Sequence, residues 1–203
     1  RCPSVSMYAL KPNFQALLRP ITQKLFDLGV TANQVTILAC AISIVLGLGL
    51  YASGQPSVYF ALIPLWMLVR MALNAIDGML AREFHQKSRL GAYLNEVTDV
   101  VSDAALYLPF VWIAPLSAMQ IALVIWLSAL SELVGILGQV IGKSRRYDGP
   151  MGKSDRAFVF GFMGLSVAIF GHLSSFVYGL MWLVVVLIAW TTVRRARAGL
   201  REV

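Results

Sequence analysis

Long apolar segments alternate with short polar ones along most of this chain. Each apolar segment is close to the ~20 residues that a helix needs to cross ~30 Å of hydrocarbon. They cover residues 33–53, 58–82, 91–113, 117–142, 157–171 and 176–193. This pattern predicts an all-α polytopic membrane protein with six transmembrane helices.

The segment before the first apolar stretch has a different pattern. Across residues 8–29, apolar positions interleave with basic ones at helical spacing: Phe14, Leu17, Leu18, Ile21, Leu25 and Phe26 against Lys11, Arg19 and Lys24. This indicates an amphipathic helix lying in the membrane interface and bent at Pro20, with an ordinary surface helix as the alternative. Either Thr31 or Asn33 is placed to cap the helix that follows, and capping is the favoured role of Asn33.

Composition agrees with a single membrane domain over residues 1–203, made of the interfacial helix (8–29) and a six-helix bundle (33–193). Of the 203 residues, 58% are hydrophobic and only 13% are charged, which leaves no separate soluble domain. We expect no nucleic-acid partner for such a chain. Cys2 and Cys40 are too far apart in the sequence to indicate a disulfide framework or a zinc site.

The placement of the basic residues predicts the orientation in the membrane. Net charge is +7, and Lys and Arg concentrate near the N-terminus, in the connections 83–90 and 143–156, and after residue 193. The other three connections carry none. The positive-inside rule therefore places both termini and both basic connections in the cytoplasm.

Polar and small residues gather at two helical faces between residues 74 and 103. The first face has Asn74, Asp77 and Ala81, and the second has Gly91, Asn95, Asp99 and Asp103. If the two helices are neighbours, Asp77 and Asp99 point into one cleft with two carboxamides beside them. All these groups offer oxygen, which suits a hard cation such as Mg²⁺, Mn²⁺ or Ca²⁺. Gly78 and Ala81 lack bulk and leave room for a ligand near the backbone.

This stretch resembles the signature of the CDP-alcohol phosphatidyltransferases, or CDP-alcohol phosphotransferases, which are membrane enzymes of phospholipid synthesis. Their pattern is D-x2-D-G-x2-A-R-x8-G-x3-D-x3-D. The matching residues are Asp77, Gly78, Ala81, Arg82, Gly91 and Asp99. Asn74 and Asn95 stand where the first and third aspartates are expected, as in a bacterial branch of the family that the chain resembles most. Residues 31–36 also resemble the family's Thr-Pro-Asn-x-Ile/Val-Thr motif, without the proline.

The resemblance implies an enzyme of the bacterial inner membrane, with its active site on the cytoplasmic side. It would transfer a phosphatidyl group from a CDP-linked lipid such as CDP-diacylglycerol to an alcohol, releasing CMP, with Mg²⁺ or Mn²⁺. A homodimer is implied as well. The implied metal ligands are Asp77, Asp99, Asn74 and Asn95, with Asp99 a ligand or the general base. The implied CDP-lipid residues are Asp77, Gly78, Ala81, Arg82 and Gly91.

A basic, glycine-containing turn over residues 149–156 is the second chemical feature. Backbone N–H groups at the start of a helix, with Lys153 and Arg156, make an anion site. The resemblance implies that the acceptor binds here, with Arg145 and Arg146 as further candidates. For those two arginines, membrane topology and contact with anionic lipid are equal alternatives. The basic turn favours a phosphorylated or anionic acceptor.

Several intramembrane charges have open roles. Arg70 and Glu132 are interpreted as structural. Asp103 either pairs with an arginine or supports the metal site, and Glu96 either points away or supplies the carboxylate that Asn95 lacks.

The two asparagines reduce the negative charge at the metal site. They therefore predict weaker metal binding, with one ion rather than two in the free protein, or binding that needs the nucleotide. Two other classes of function remain as alternatives: a non-catalytic relative that binds CDP-lipid or anionic phospholipid, and a small lipid transporter. A transporter of this kind is expected to show inverted repeats, and no internal repeat is visible in the sequence.

Overall fold

A computed structural model describes residues 7–202, with side chains from Pro12 onward. Residues 1–6, including Cys2, and Val203 of the predicted domain lie outside the described residues. Every regular element within the described range is helical. The helices are α1 (Met7–Asp27), α2 (Ala32–Ser53), α3 (Leu62–Glu83), α4 (Arg89–Tyr107), α5 (Ala118–Ile141), α6 (Lys153–Phe170) and α7 (Val177–Leu200), with single 3₁₀ turns at Val58–Ala61 and Leu108–Trp112.

Four segments in the described part of the chain are long and apolar enough to cross a membrane. They are Ala32–Ser53, Val58–Glu83, Ala118–Ile141 and Val177–Leu200. The helices α4 and α6 coincide with the third and fifth predicted spans but are not among these four, because both contain several charged residues. The prediction of an all-helical, polytopic membrane protein is confirmed, whereas length and composition support four spans.

The first of two compact units contains Leu68–Asp99 and the described residues up to Ile42. Its core is formed by α1, α2 and α3 through Leu18, Ala32, Val35, Ile76, Met79 and Leu80. Thr31 caps α2: its Oγ1 accepts from the Gln34 N–H at 3.2 Å, and Gln34 Oε1 accepts from the Thr31 N–H at 3.0 Å. The expectation that Asn33 serves as a cap was wrong, because Thr31 makes the reciprocal pair.

The second unit contains Ser43–Met67 and the chain from Val100 onward. Aromatic rings stack at its centre, with the Tyr107 and Phe160 centroids 3.9 Å apart and Phe110 edge-on to Phe160 at 5.2 Å. Small residues allow close helix contacts: a Cβ added at Gly47 of α2 would lie 2.1 Å from the Ala105 carbonyl oxygen of α4. Backbone contact of this kind packs these helices without intervening side chains.

Candidate active site

Asp77 lies near the middle of the signature, on α3, and is buried with 6% of its surface exposed. The hydroxyl of Thr36 on α2 approaches Asp77 Oδ2 at 2.7 Å and the Ala32 carbonyl oxygen at 3.0 Å. A carboxylate in such a buried position is stabilised by a donor of this kind. Thr36 therefore fixes one oxygen of Asp77.

Asp99, on α4, has a different partner. Arg70 Nη2 donates to Asp99 Oδ1 at 3.0 Å and to the Asp99 carbonyl oxygen at 3.2 Å. The side chains are only 7% and 14% exposed, so solvent screens this ion pair weakly. Sequence reasoning gave Arg70 only a structural role, although it lies one turn before Asn74 on the face that also carries Asp77.

The small residues of the signature adjoin polar side chains. A Cβ at Gly78 would lie 3.0 Å from Arg82 Nη2, so the Arg82 side chain folds back along α3. A Cβ at Gly91 would lie 2.9 Å from Asn33 Oδ1. The absence of a side chain at position 91 thus leaves space for the Asn33 carboxamide, which sequence reasoning had assigned to capping.

The first unit contains all the signature positions, with Asn74, Ala81 and Asn95 half-buried and Arg82 exposed. Between residues 12 and 202, no three His, Cys, Asp or Glu side chains form a metal-binding group. The signature positions offer carboxylate oxygens from Asp77 and Asp99 and carboxamide oxygens from Asn74 and Asn95. Oxygen donors of this kind are the ligands that hard divalent cations prefer.

The basic residues predicted to bind the acceptor lie in the second unit, and two of them converge on Glu132 of α5. Arg156 Nη2 donates to Glu132 Oε1 at 2.9 Å, and Arg145 Nη2 donates to Oε2 at 3.0 Å. Arg195 of α7, which sequence reasoning missed, lies 3.3 Å from the same Oε2. Arg156 is fully buried and Arg195 is 2% exposed, so Glu132 is a buried carboxylate that three guanidinium groups share.

Asp103 supplies a second carboxylate to this cluster. Its Oδ2 lies 3.7 Å from Arg156 Nη2, which supports the arginine-pairing alternative for Asp103. A small, partly open cavity adjoins the pair and is also lined by Ser128. Ser128 Oγ and Arg156 Nε have no hydrogen-bond partner among the described residues, and buried polar atoms of this kind are normally satisfied by ordered water.

Arg146 has other partners. It forms ion pairs with Asp148 and with Glu202, which lies just beyond the end of α7. The hydrogen bond from Arg146 lowers the pKa of the Asp148 carboxyl. The pKa of Glu202 is also lowered, mainly because the Ser144 hydroxyl donates to it.

At the predicted anion site at the start of α6, the Asp155 carboxylate already accepts a hydrogen bond from the backbone. Asp155 Oδ2 accepts from the Gly152 N–H at 2.9 Å, and Lys153 is half-buried as the first residue of the helix. The four predicted acceptor residues therefore fall into separate groups: Arg145 and Arg156 at Glu132, Arg146 at Asp148 and Glu202, and Lys153 at the helix start.

The fold and the site together define an integral membrane protein with a buried acidic site rich in oxygen donors. The chain belongs to the CDP-alcohol phosphatidyltransferase family, whose model matches residues 29–193. Members of this family transfer a phosphatidyl group from a CDP-linked lipid to an alcohol, and they use divalent metal. The resemblance stated from the signature is thereby confirmed.

Two curated relatives and two solved structures are similar to this chain in sequence or in fold. The chain is 46% identical to the inner membrane protein YnbA of Escherichia coli K12 over 97% of each protein. It is 31% identical to the archaetidylinositol phosphate synthase of Pyrococcus horikoshii, over about half of each. A crystal structure of Mycobacterium tuberculosis phosphatidylinositol phosphate synthase with CDP-DAG bound matches with a TM-score of 0.74 at 23% identity, covering 89% of this chain and 92% of that one. The same enzyme with manganese and citrate gives 0.73 at 24% identity, covering 89% and 87%.

Proposed function

We propose that this protein is an active, metal-dependent CDP-alcohol phosphatidyltransferase of phospholipid synthesis. The observation that carries the proposal is the pair of signature carboxylates, each positioned by a partner. Asp77 is held by Thr36 and Asp99 by Arg70, within one compact unit. Preorganised acidic groups at low exposure are typical of a site that performs chemistry rather than one that only packs helices.

Asp77 and Asp99 have distinct roles in this proposal. Asp77, with Asn74 and Asn95, offers oxygen ligands to one Mg²⁺ or Mn²⁺ ion. That cation, when bound, neutralises the diphosphate and the charge that develops on the leaving group. Asp99 completes the ligand set or accepts the proton of the attacking alcohol hydroxyl. The alcohol oxygen then forms a bond to the β-phosphorus, and the bond from that phosphorus to CMP breaks.

The remaining signature residues bind the CDP end of the lipid. Gly78, Ala81 and Gly91 carry little or no side chain. The ligand would approach the backbone at Gly78 and Gly91 by displacing the Arg82 side chain and the Asn33 carboxamide that now lie there. Arg82 is exposed and positively charged, which suits the nucleotide phosphates.

For the acceptor we propose Lys153 as the principal basic residue, with Arg156, Arg145 and Arg146 around it. Lys153 is the first residue of α6, where its ammonium group and the backbone N–H groups of the first helical turn both favour an anion. A phosphorylated or anionic alcohol fits this arrangement.

The proposed membrane arrangement has six spans, because α4 and α6 are added to the four apolar segments. Their charged residues are then covered by protein rather than lipid. The helix α1 lies in the interface, with Leu17 and Ile21 exposed on one side of it. Both termini and the site face the cytoplasm of a bacterial inner membrane, and the protein works as a homodimer.

The test is CMP release from CDP-diacylglycerol by the purified protein in lipid, with Mg²⁺ or Mn²⁺. Acceptors are supplied one at a time: glycerol 3-phosphate, serine, inositol phosphate and phosphatidylglycerol. We expect metal-dependent release with one acceptor, and a loss of at least about 100-fold in Asp99→Ala because a general base or ligand is removed. Glu83→Gln, which changes an exposed acid of α3, serves as the control and retains activity.

A non-catalytic protein that binds CDP-lipid is the second candidate. Asn74 and Asn95, which leave the signature with two of its four acids, favour it. This candidate would replace the first if the protein binds CDP-diacylglycerol but releases no CMP with any acceptor, whether metal is present or absent.

A further inference from the structure

Arg70 is the one signature-face residue on α3 whose charge opposes the binding of a cation. It lies four residues before Asn74 and seven before Asp77, so all three share one helical face. Its guanidinium is buried, and it reaches both the side chain and the backbone carbonyl of Asp99. A buried arginine in this position acts on the charge of the whole site.

The charge at the signature is too small for two divalent cations. Asp77 and Asp99 are the only acids at the eight signature positions, and Arg70 already offsets one of them at 3.0 Å. A second divalent ion near Asp99 would meet a fixed positive charge at short range and with little solvent screening. The donor set therefore fits one divalent cation and does not fit two.

We propose that Arg70 is a built-in cation that takes the place of a second divalent ion. It neutralises Asp99, holds one of its oxygens, and restricts the site to a single divalent cation ligated on the Asp77 side. Arg70 is thus a positioning residue that sets metal stoichiometry. The inference rests on the proposed function for its relevance to catalysis, but it concerns binding and has a readout that does not require turnover.

The experiment is a Mn²⁺ titration of the purified protein in lipid nanodiscs, with free Mn²⁺ measured by electron paramagnetic resonance. It is run with and without CDP-diacylglycerol. We expect one Mn²⁺ per chain for the wild type. In Arg70→Gln we expect a second Mn²⁺ to bind, because the fixed positive charge that repels it is gone. Arg70→Lys keeps the charge and is expected to retain wild-type stoichiometry.

A gain of metal binding separates this role from a structural one, because a variant with a damaged fold loses ligands and does not acquire them. The inference is overturned if the wild type binds two Mn²⁺ ions, a result that needs no variant. It is also overturned if a folded Arg70→Gln still binds no more than one Mn²⁺ per chain.

The parallel CMP-release assay keeps the two proposals distinguishable. One Mn²⁺ in the wild type and a gain in Arg70→Gln, with no CMP released, would leave this inference in place and remove the proposed activity. Metal-dependent CMP release from a wild type that binds two Mn²⁺ ions would support the proposed activity and overturn this inference.

Discussion

Asn74 and Asn95 distinguish this chain from the family signature at the level of single atoms. A carboxamide oxygen coordinates a cation through its dipole but brings no negative charge. Asn95 is half-buried on α4, one turn before Asp99, so a new carboxylate there would act at low solvent exposure. Position 95 is therefore suited to testing the metal site, because Asn95→Asp replaces only the amide –NH₂ by an oxygen.

We expect Asn95→Asp to bind Mn²⁺ about tenfold or more tightly than the wild type, since one full charge is added without a change of shape. The measurement is the same Mn²⁺ titration. Gln55→Glu adds the same charge in an exposed connection and should leave affinity unchanged. Equal affinities for Asn95→Asp and the wild type would remove Asn95 from the ligand set.

Sequence reasoning reached the signature residues but missed most of their partners. Asp77 and Asp99 could be identified because the spacing of the signature is long and fixed. Thr36 ends the second motif, over residues 31–36, but nothing in the sequence paired it with Asp77. Arg70 lies outside both motifs, and the contacts of both residues depend on which helices become neighbours. Arg70 did carry a weak signal, since an arginine in an apolar segment needs a partner and shares a face with Asp77.

At the scale of helices, close packing depends on particular glycines. Gly47 is buried against the Ala105 carbonyl oxygen, whereas Gly49, two residues later in α2, is exposed and has no atom within 4 Å of an added Cβ. The same substitution at these two positions therefore separates a steric effect from a change in helix propensity.

We expect Gly47→Ala to destabilise the protein by about 3 kcal/mol or more, because a backbone atom must move to admit the methyl group. Gly49→Ala should be neutral or stabilising by up to about 1 kcal/mol, since alanine is the better helix former. Thermal unfolding in detergent compares the two. A Gly47→Ala protein as stable as Gly49→Ala would show that α2 and α4 do not approach this closely.

Buried and exposed ion pairs offer a second matched comparison. Glu132 is 5% exposed and serves three arginines, whereas Glu83 makes one pair with Arg19, and both of those side chains are at least 40% exposed. Removing a buried counter-ion leaves desolvated charges behind, while an exposed pair contributes little.

We therefore expect Glu132→Gln to reduce stability by about 3–5 kcal/mol, and Glu83→Gln by less than about 1 kcal/mol. Both are measured by thermal unfolding at neutral pH. Equal, small effects would mean that the three guanidinium groups find other partners or water when Glu132 loses its charge.

The connection before α6 is tied to the end of the chain by Glu202, which accepts from the backbone N–H groups of Lys143 and Ser144 at 3.2 and 3.1 Å. The Ser144 hydroxyl and, to a lesser extent, these two N–H groups lower the pKa of Glu202 from its ordinary value of 4.5, so the tie is complete above that pH. It is lost as the pH falls through the lowered value.

Amide hydrogen exchange at Lys143 and Ser144 measures this tie. We expect the two amides to be protected at pH 7 and to lose protection progressively below about pH 4.5, relative to unstructured peptide at the same pH. Glu202→Gln should lack the protection at every pH. Protection that is independent of both pH and this substitution would exclude Glu202 as its source.

Over the whole molecule, the hydropathy pattern predicted the positions of the helices closely, but it predicted six membrane spans where length and composition support four. The predicted boundaries of 33–53 and 117–142 differ by one residue or so from α2 and α5, because those segments are uniformly apolar. Among the six predicted spans, α4 and α6 are the two that length and composition do not support. Their charged residues are compensated by tertiary partners such as Glu132 and Arg70, which a sliding window along the sequence cannot register.

The distribution of Lys and Arg predicts which connections face the cytoplasm, and single cysteines test it. With the native cysteines replaced, Lys87→Cys should react with a membrane-impermeant maleimide only after the cells are permeabilised. Ser175→Cys, in a neutral connection, should react in intact cells. Both positions are exposed in the structure. Labelling of both in intact cells would contradict the six-span arrangement.

The buried cluster around Glu132 also restricts how this sequence can change over evolutionary time. Mutating the acid first would remove a counter-ion from three arginines at once, two of them buried, whereas each arginine can be replaced by an uncharged residue while Glu132 still balances the others. Lineages that lose the cluster should therefore lose arginines before the glutamate. In a library of random variants, substitutions at Glu132 should survive mainly where Arg145, Arg156 or Arg195 has changed as well.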